Sequence, residues 1–273
     1  MKSINLFASN NCIEIKKFKG GECHVKLSDD LTETEKVRIN ARLTSSDDIM
    51  NLCLTVDALR NMDVPYIEAF IPYVPYARQY RVMTQGEPLS IKVFANIINS
   101  LHLDKVTVYD AHSDVATALI HNSRNTQNHV MVRYFLKELN VQDYVLVSPD
   151  LGAYKKTHKL SEVLGYMGNI ATTVKVRDVA TGEITKMDLM TEDLKGKPCV
   201  VVDDICDGGR TFIELAAQLK AKNAGDLYLI VSHGIFSHNA LDKLKEAGYR
   251  HVCSSNSIAK REDDDFYRQF NVF

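Results

Sequence analysis

The chain is 273 residues long, and several features that mark large protein classes are missing from it. Its longest apolar runs, such as Leu227 to Val231, fall far short of the roughly 20 residues that a membrane span requires. The opening Met1-Lys2-Ser3-Ile4-Asn5-Leu6-Phe7 has neither the apolar core nor the cleavage region of a signal peptide. No charge of one sign dominates: 33 Lys and Arg stand against 35 Asp and Glu, a net −2, so no global basic field points to nucleic acid. The six cysteines (Cys12, Cys23, Cys53, Cys199, Cys206 and Cys253) contain no Cys-x-x-Cys pair. That argues against a zinc site or a disulfide frame and for reduced, mostly buried thiols in a cytoplasmic protein. What remains, 45% hydrophobic and 25% charged residues, is the composition of a globular protein with one large or two ordinary domains.

Within that frame one stretch is dense in chemistry: Val200-Val201-Val202-Asp203-Asp204-Ile205-Cys206-Asp207-Gly208-Gly209-Arg210-Thr211. A β-branched run ends in two carboxylates, a Gly-rich turn with a third follows, and an amphipathic segment runs on to Ala221. The order reads as buried parallel strand, tight turn and helix. Turn amides at a helix N-terminus favour an anion, and Gly208 and Gly209 allow close approach. Asp203 and Asp204 beside that anion suit hydroxyl groups or a metal ion, so a sugar phosphate is the expected ligand. The plainer alternative is that the acids cap the helix and the glycines make a turn. Three acids and two glycines between Asp203 and Gly209 favour the ligand site. Cys206 reads as a space-filler, because neighbouring carboxylates raise a thiol pKa.

Short β-like runs alternate with helical ones along most of the chain. Strands are expected at Ile4–Phe7, Val37–Leu43, Tyr66–Phe70, Val106–Tyr109, Tyr144–Val147, Ala171–Val176, Val200–Val202 and Leu227–Val231. Helices are expected at Asp47–Met62, Pro88–Ser100, Val130–Leu139, Tyr154–Leu164, Thr211–Ala221 and Ser237–Glu246. The alternation implies an α/β fold with mainly parallel sheets, whose ligands bind beyond the carboxyl ends of the strands. There is also an internal echo: Val106-Thr-Val-Tyr-Asp110-Ala-His112-Ser-Asp114 repeats the strand–Asp-x-x-x-Asp–helix order. Two related halves joined by the polar segment 122–130 would explain it, and so would chance.

Other constellations carry weaker signals. Ile71 to Pro88 holds Arg78, Gln79 and Arg81 among prolines and tyrosines, a stiff loop able to meet phosphate oxygens and a planar base, or a solvated surface loop. His112 sits between Asp110 and Asp114; a lone His is usually structural. Ser-Pro-Asp150-Leu-Gly152 repeats the strand, acid and glycine pattern. Lys175 and Arg177 end a strand-like run before the turn-like Asp178-Val-Ala-Thr-Gly182-Glu, a segment able to open and close. They are either a solvated strand face or cations that neutralise charge in phosphoryl transfer.

Taken in order, these motifs resemble those of the ribose-phosphate diphosphokinase (phosphoribosyl pyrophosphate synthetase) family. They are Phe18-Lys-Gly-Gly21-Glu22, Pro-Tyr-Ala-Arg78-Gln79-x-Arg81 with Gly-Glu-Pro88, Asp110-x-His112-Ser-Asp114, Ser-Pro-Asp150-Leu-Gly152, Lys175-x-Arg177 and Asp203-Asp204-x-x-Asp207. The resemblance implies two phosphoribosyltransferase-like α/β domains, each a mainly parallel sheet flanked by helices, facing each other across the active site. Residues 1–125 would bind nucleotide and residues 126–273 ribose 5-phosphate. It implies transfer of the diphosphoryl group of ATP to the 1-hydroxyl of ribose 5-phosphate, with Mg²⁺ as cofactor and AMP released. It further implies a cytoplasmic homo-oligomer with no nucleic-acid or membrane partner.

By motif match, Asp203, Asp204, Asp207, Gly208, Gly209, Arg210 and Thr211 would form the ribose 5-phosphate loop. Phe18, Glu22, Arg78, Gln79 and Arg81 would bind ATP, His112 and Asp150 would hold Mg²⁺, and Lys175 and Arg177 would be catalytic. The chain departs from the family pattern at three places. Gly20 stands where an Asp is usual, Tyr80 where an acid is usual, and Gly208-Gly209-Arg210-Thr211 replaces Thr-Ala-Gly-Thr. It also starts late and ends early against the family pattern, in which a longer tail helps build a hexamer. Two other functions compete: a type I phosphoribosyltransferase and a non-catalytic regulatory homologue of the synthetase. The Arg78-Gln79 loop and His112 argue against the first, and Lys175 with Arg177 against the second.

Overall fold

The computed structural model describes residues 1–7, 12–28, 31, 34–177 and 184–273, with backbone alone at 174–177 and 184–187. The chain divides into two compact units, Met1–Gln127 with Phe273, and Asn128–Val272.

The first unit begins with β1 (Lys2–Asn5), a hairpin of β2 (Ile13–Lys17) and β3 (Cys23–Leu27), and β4 (Lys36–Asn40). Next come α1 (Ser46–Asn61), β5 (Tyr66–Ile71), α2 (Ser90–Ser100), β6 (Lys105–Tyr109), α3 (Asp114–Leu119) and β7 (Ser123–Thr126). Five strands form a parallel sheet in the order β1-β4-β5-β6-β7. Helix α1 starts where a capping box fixes it: Ser45 Oγ accepts from the Asp48 amide, and Asp48 accepts from the Ser45 amide at 2.8 Å. Pro88 does not open α2 as expected; that helix starts two residues later, after Leu89. Its Ile91, Phe94, Ala95 and Ile98 repeat at helical spacing and bury against the sheet, each large side chain stabilising the unit by about 1.5–3 kcal/mol. The hairpin and β7 escape a reading based on apolar periodicity. β2 is exposed at four of its five positions, and β7 is the polar Ser-Arg-Asn-Thr, held as an edge strand by main-chain pairing with β6 rather than serving as a linker.

The second unit contains α4 (His129–Glu138), β8 (Val145–Ser148), α5 (Leu151–Leu164), β9 (Ala171–Arg177), β10 (Ile184–Leu189) and β11 (Cys199–Cys206). It continues with α6 (Arg210–Ala221), β12 (Leu227–Gly234), α7 (Ala240–Glu246), β13 (Tyr249–Ser255) and β14 (Tyr267–Phe270). The sheet order is β10-β9-β8-β11-β12-β13-β14, parallel except for the antiparallel β9–β10 pair. Strands β11 and β12 lie at its centre, and all eight residues of β12 are buried. Alternation along β11 feeds two cores. Val201 packs with Leu215 and Leu219 of α6, while Val200 and Val202 pack with Leu160 of α5 and with Met131 and Phe135 of α4. Among the described residues no helix is long and apolar enough to cross a membrane.

Candidate active site

In the second unit the strand order reverses between β8 and β11. The helices that follow these two strands therefore lie on opposite faces, α5 with one core and α6 with the other. In open parallel sheets such a reversal leaves a crevice beyond the carboxyl ends of the strands. Asp150 follows β8, and the acids of β11 lie at that same end.

The acids are built into the sheet more deeply than the sequence pattern implies. Strand β11 does not stop at Val202 but runs through Cys206, with Asp203 paired to Val231 and Ile205 to His233 of β12. The cause is tertiary: β12 extends to Gly234 and supplies main-chain partners that carry β11 past its apolar run. Asp203 and Asp204 are thus strand residues rather than the first residues of a turn. Asp204 is 7% exposed, Asp203 is half-buried, and the Asp204 amide donates to the Asp203 carboxylate at 2.9 Å. Burial first, and the adjacent Asp204 charge second, push the Asp203 carboxyl well above the usual carboxylate range; the Asp150 charge adds to this. Burial, then Asp203 and Asp207, push the Cys206 thiol up to about 12, which makes it inert as a nucleophile.

Beyond β11 the chain turns. Asp207 accepts a 2.6 Å hydrogen bond from the Ser237 hydroxyl, which fixes the side of the turn on which its carboxylate lies. Gly209 sits at φ 78°, a left-handed conformation that glycine adopts without steric cost, and α6 begins at Arg210 without a side-chain cap. The Phe212 amide donates to the Gly209 carbonyl at 3.0 Å, and the amides of Arg210 and Thr211 before it lie at the positive end of the helix dipole. Thr211 is half-buried there. Arg210 is exposed, and its Nε donates to Glu214 Oε1 at 2.9 Å, one turn along the helix. Asp150 caps α5, accepting from the Ala153 amide at 2.9 Å. Lys175 and Arg177 belong to β9, opposite Met187 and Ile184 of β10, a return strand absent from the sequence reading. The expected mobile segment 178–183 lies outside the described residues.

In the first unit, Phe18 to Glu22 forms the turn of the β2–β3 hairpin, closed by the Phe18 amide on the Glu22 carbonyl at 2.9 Å. Phe18 is 54% exposed with its ring 5.3 Å from that of His24, and Glu22 is exposed. A Cβ on Gly20 would come within 3.0 Å of Glu22 Oε2, so the missing side chain leaves room for this carboxylate. Arg78 and Gln79 are exposed on the loop after β5. Tyr80 packs on the core and links two other candidates: the Arg81 guanidinium lies 5.0 Å above its ring, and the His112 ring meets it edge-on at 5.8 Å.

Among the described residues no group of three or more His, Cys, Asp and Glu forms a metal cluster. A cavity of about 660 Å³ lies elsewhere, lined by Tyr144, Tyr166, Met190 and Lys197 at the amino ends of β8, β9 and β11. The parallel-sheet rule and the acid cluster both favour the carboxyl end over that hollow. Sequence reasoning missed Ser237, whose partner is 30 residues away. It also missed the buried wall beside the acids, where the Ser255 and Ser257 hydroxyls donate to the Ser232 carbonyl at 2.6 and 3.3 Å. No short-range pattern marks any of these serines.

Comparison with known proteins adds an independent line. Residues 5–101 match the family model of the N-terminal domain of ribose phosphate pyrophosphokinase, and residues 159–265 match the phosphoribosyl synthetase-associated domain. The chain is similar to a ribose-phosphate pyrophosphokinase of Vibrio cholerae, 29% identical over 259 residues, covering 93% of this chain and 81% of that one. It is similar to another of Gloeobacter violaceus, 28% identical, covering 92% of this chain and 75% of that one. Among solved structures, the phosphoribosylpyrophosphate synthetase of Mycobacterium smegmatis superposes with a TM-score of 0.83 at 23% identity, covering 98% of this chain and 88% of that one. The last comparison establishes a shared fold.

Proposed function

The chain belongs to the ribose-phosphate pyrophosphokinase family, and from that premise we propose that it transfers the diphosphoryl group of ATP to the 1-hydroxyl of ribose 5-phosphate, releasing AMP. The observation that carries the site assignment is the pair Asp203–Asp204 at the end of a central strand, followed by a glycine turn and an uncapped helix N-terminus. Asp203 and Asp204 accept the ribose hydroxyls, while the amides around Gly208 and Gly209 and the Thr211 hydroxyl hold the 5-phosphate. Asp207, steadied by Ser237, borders the same turn. Arg210 is exposed, and its Nε is engaged by Glu214.

Phe18 and Glu22 bound the adenine, and Arg78, Gln79 and Arg81 contact the nucleotide phosphates. His112 and Asp150 are the groups that would hold Mg²⁺, which when bound neutralises charge on the polyphosphate. Lys175 and Arg177 neutralise charge on the transferred group; because little covalent work falls to the protein in such a transfer, positioning and charge supply most of the rate. Residues 1–125 and 126–273 serve as the nucleotide and ribose 5-phosphate domains, in a homo-oligomer that light scattering would detect. Purified protein with ATP, Mg²⁺ and ribose 5-phosphate should release AMP and form phosphoribosyl pyrophosphate. AMP absent across several nucleotide and metal conditions would overturn the assignment. Product that appears only when a preformed phosphoribosyl pyrophosphate and a base are supplied would favour a transferase instead.

A further inference from the structure

Helix α5 carries three lysines in its first three turns, and they do not face the same way. Lys155 and Lys159 are exposed, whereas Lys156 is drawn inward and its Nζ is buried. Ala153, Lys156, Thr157 and Leu160 fall at i, i+3, i+4 and i+7, one face of the helix, and together they line a narrow void of about 10 Å³. The other walls are Asn128 and, from β11, Val202 and Asp203. A void that small holds at most one water, since one water needs roughly 10–15 Å³. An ammonium is an expensive group to bury on the sheet-facing side of a helix unless an anion meets it. Alternation along β11 supplies the anion: Val200 and Val202 face the α5 core, so Asp204, itself 7% exposed, faces the same side.

We propose that Lys156 is a positioning residue for the ribose 5-phosphate site, its buried ammonium anchoring the Asp204 carboxylate so that the acid pair is held in place for the sugar hydroxyls. This role rests on the ribose 5-phosphate assignment above, but the lysine–acid anchor itself does not. Asp203, Asp204 and Asp150 gather at the ends of two neighbouring strands, where repulsion between carboxylates favours a cation beside them. Lysine suits the task because a long apolar stem can carry its ammonium inward on the face it shares with Thr157 and Leu160.

Two measurements test the idea separately. Thermal unfolding of Lys156→Met, Asp204→Asn and the double variant forms a double-mutant cycle. An anchored pair predicts that the double variant melts above Lys156→Met alone, because the second change removes the stranded carboxylate; strictly additive losses would overturn the anchor. Calorimetric titration with ribose 5-phosphate then reads the consequence. Lys156→Met should weaken binding about tenfold or more, and Lys156→Arg should recover to within about threefold of the native chain. ATP affinity should stay within about twofold in both variants, which a general loss of structure would not allow. Native protein that binds no ribose 5-phosphate would overturn the functional assignment, and the unfolding cycle would still decide the anchor. Native protein that binds it as tightly as Lys156→Met does would overturn the positioning role alone. Should Lys156→Met fail to fold, Lys156→Arg set against Lys156→Gln supplies the same contrast.

Discussion

The two units contain the same short pattern, a strand followed by Asp-x-x-x-Asp and a helix, and they build different things from it. In the second unit β11 continues through Asp203 and Asp204 because β12 pairs with it as far as Gly234, and two glycines then turn the chain into the twelve-residue α6. In the first unit β6 ends at Tyr109, where its partner β7 ends at Thr126. Asp110 therefore falls outside the sheet at φ 46°, fully buried, and the turn Ala111-His112-Ser113 leads into a helix of six residues. No glycine lies between Asp110 and Asp114, so the main chain there cannot make the close approach that Gly208 and Gly209 permit. The acid spacing alone does not make a sugar-phosphate cradle. Strand pairing beyond the first acid and glycine in the turn are what set the two copies apart.

The strongest way to break this comparison is to remove an acid from each copy. Asp204→Ala should lower kcat/KM for ribose 5-phosphate by on the order of 10²–10³, since a buried acceptor of substrate hydroxyls is lost. Asp114→Ala, at the start of the short α3, should change it by less than about threefold, apart from any helix-dipole cost near 0.5 kcal/mol. Steady-state kinetics on the two variants decides, and equal losses would mean that both copies bind substrate.

Next in size is the turn itself. A Cβ on Gly209 would meet Ala240 Cβ at 3.5 Å, an ordinary contact, so Gly209→Ala strains the backbone and not the packing. At φ 78° that strain should cost about 1–2 kcal/mol, seen as a lower melting temperature. No loss of stability would mean that the left-handed turn is not what sets the start of α6.

These contrasts show where the sequence was legible. The α/β alternation, six of the helices and the acid-rich end of the sheet follow from periodicity, residue type and turn residues such as Gly208 and Gly209. The length of β11, the polar edge strand Ser123–Thr126 and the hairpin under Phe18 do not, because main-chain pairing rather than an apolar pattern makes them. Among site residues, the acids and arginines stand out by type. Ser237 and Lys156 do not, since a serine and a third lysine in a helix acquire meaning only through what the fold sets beside them.

A smaller effect sharpens the description of the acid pair. The Asp203 carboxyl is raised above its unfolded value, so over a window above that value the folded chain keeps a proton that the unfolded chain has lost. The unfolded state then binds fewer protons, and stability falls as pH rises from the unfolded value towards the raised one. Below the unfolded value there is no penalty, and above the raised value the penalty is constant. Asp203→Asn removes it, so the variant should gain stability relative to the native chain between pH 4 and pH 8. Urea midpoints at the two pH values measure this, and a difference that does not change with pH would show that burial is not setting the charge of Asp203.

The smallest expected effect concerns Arg210, the residue in the turn that could serve either substrate or helix. Its guanidinium is exposed and lies against Glu214 at helical i, i+4 spacing, a pairing worth about 0.3–0.5 kcal/mol. An interaction that weak is easily exchanged for a phosphate, whose charge-assisted contacts are stronger. If Arg210 makes that exchange, Glu214→Ala should lower KM for ribose 5-phosphate slightly by releasing the arginine, and Arg210→Ala should raise it about threefold. If Arg210 serves only the helix, both variants should cost a few tenths of a kcal/mol in stability and leave KM unchanged. The opposite signs of the two KM shifts are the deciding feature. A purely structural pair loses the same contact from either side, whereas a shared arginine responds in opposite directions when its competitor and when it is itself removed.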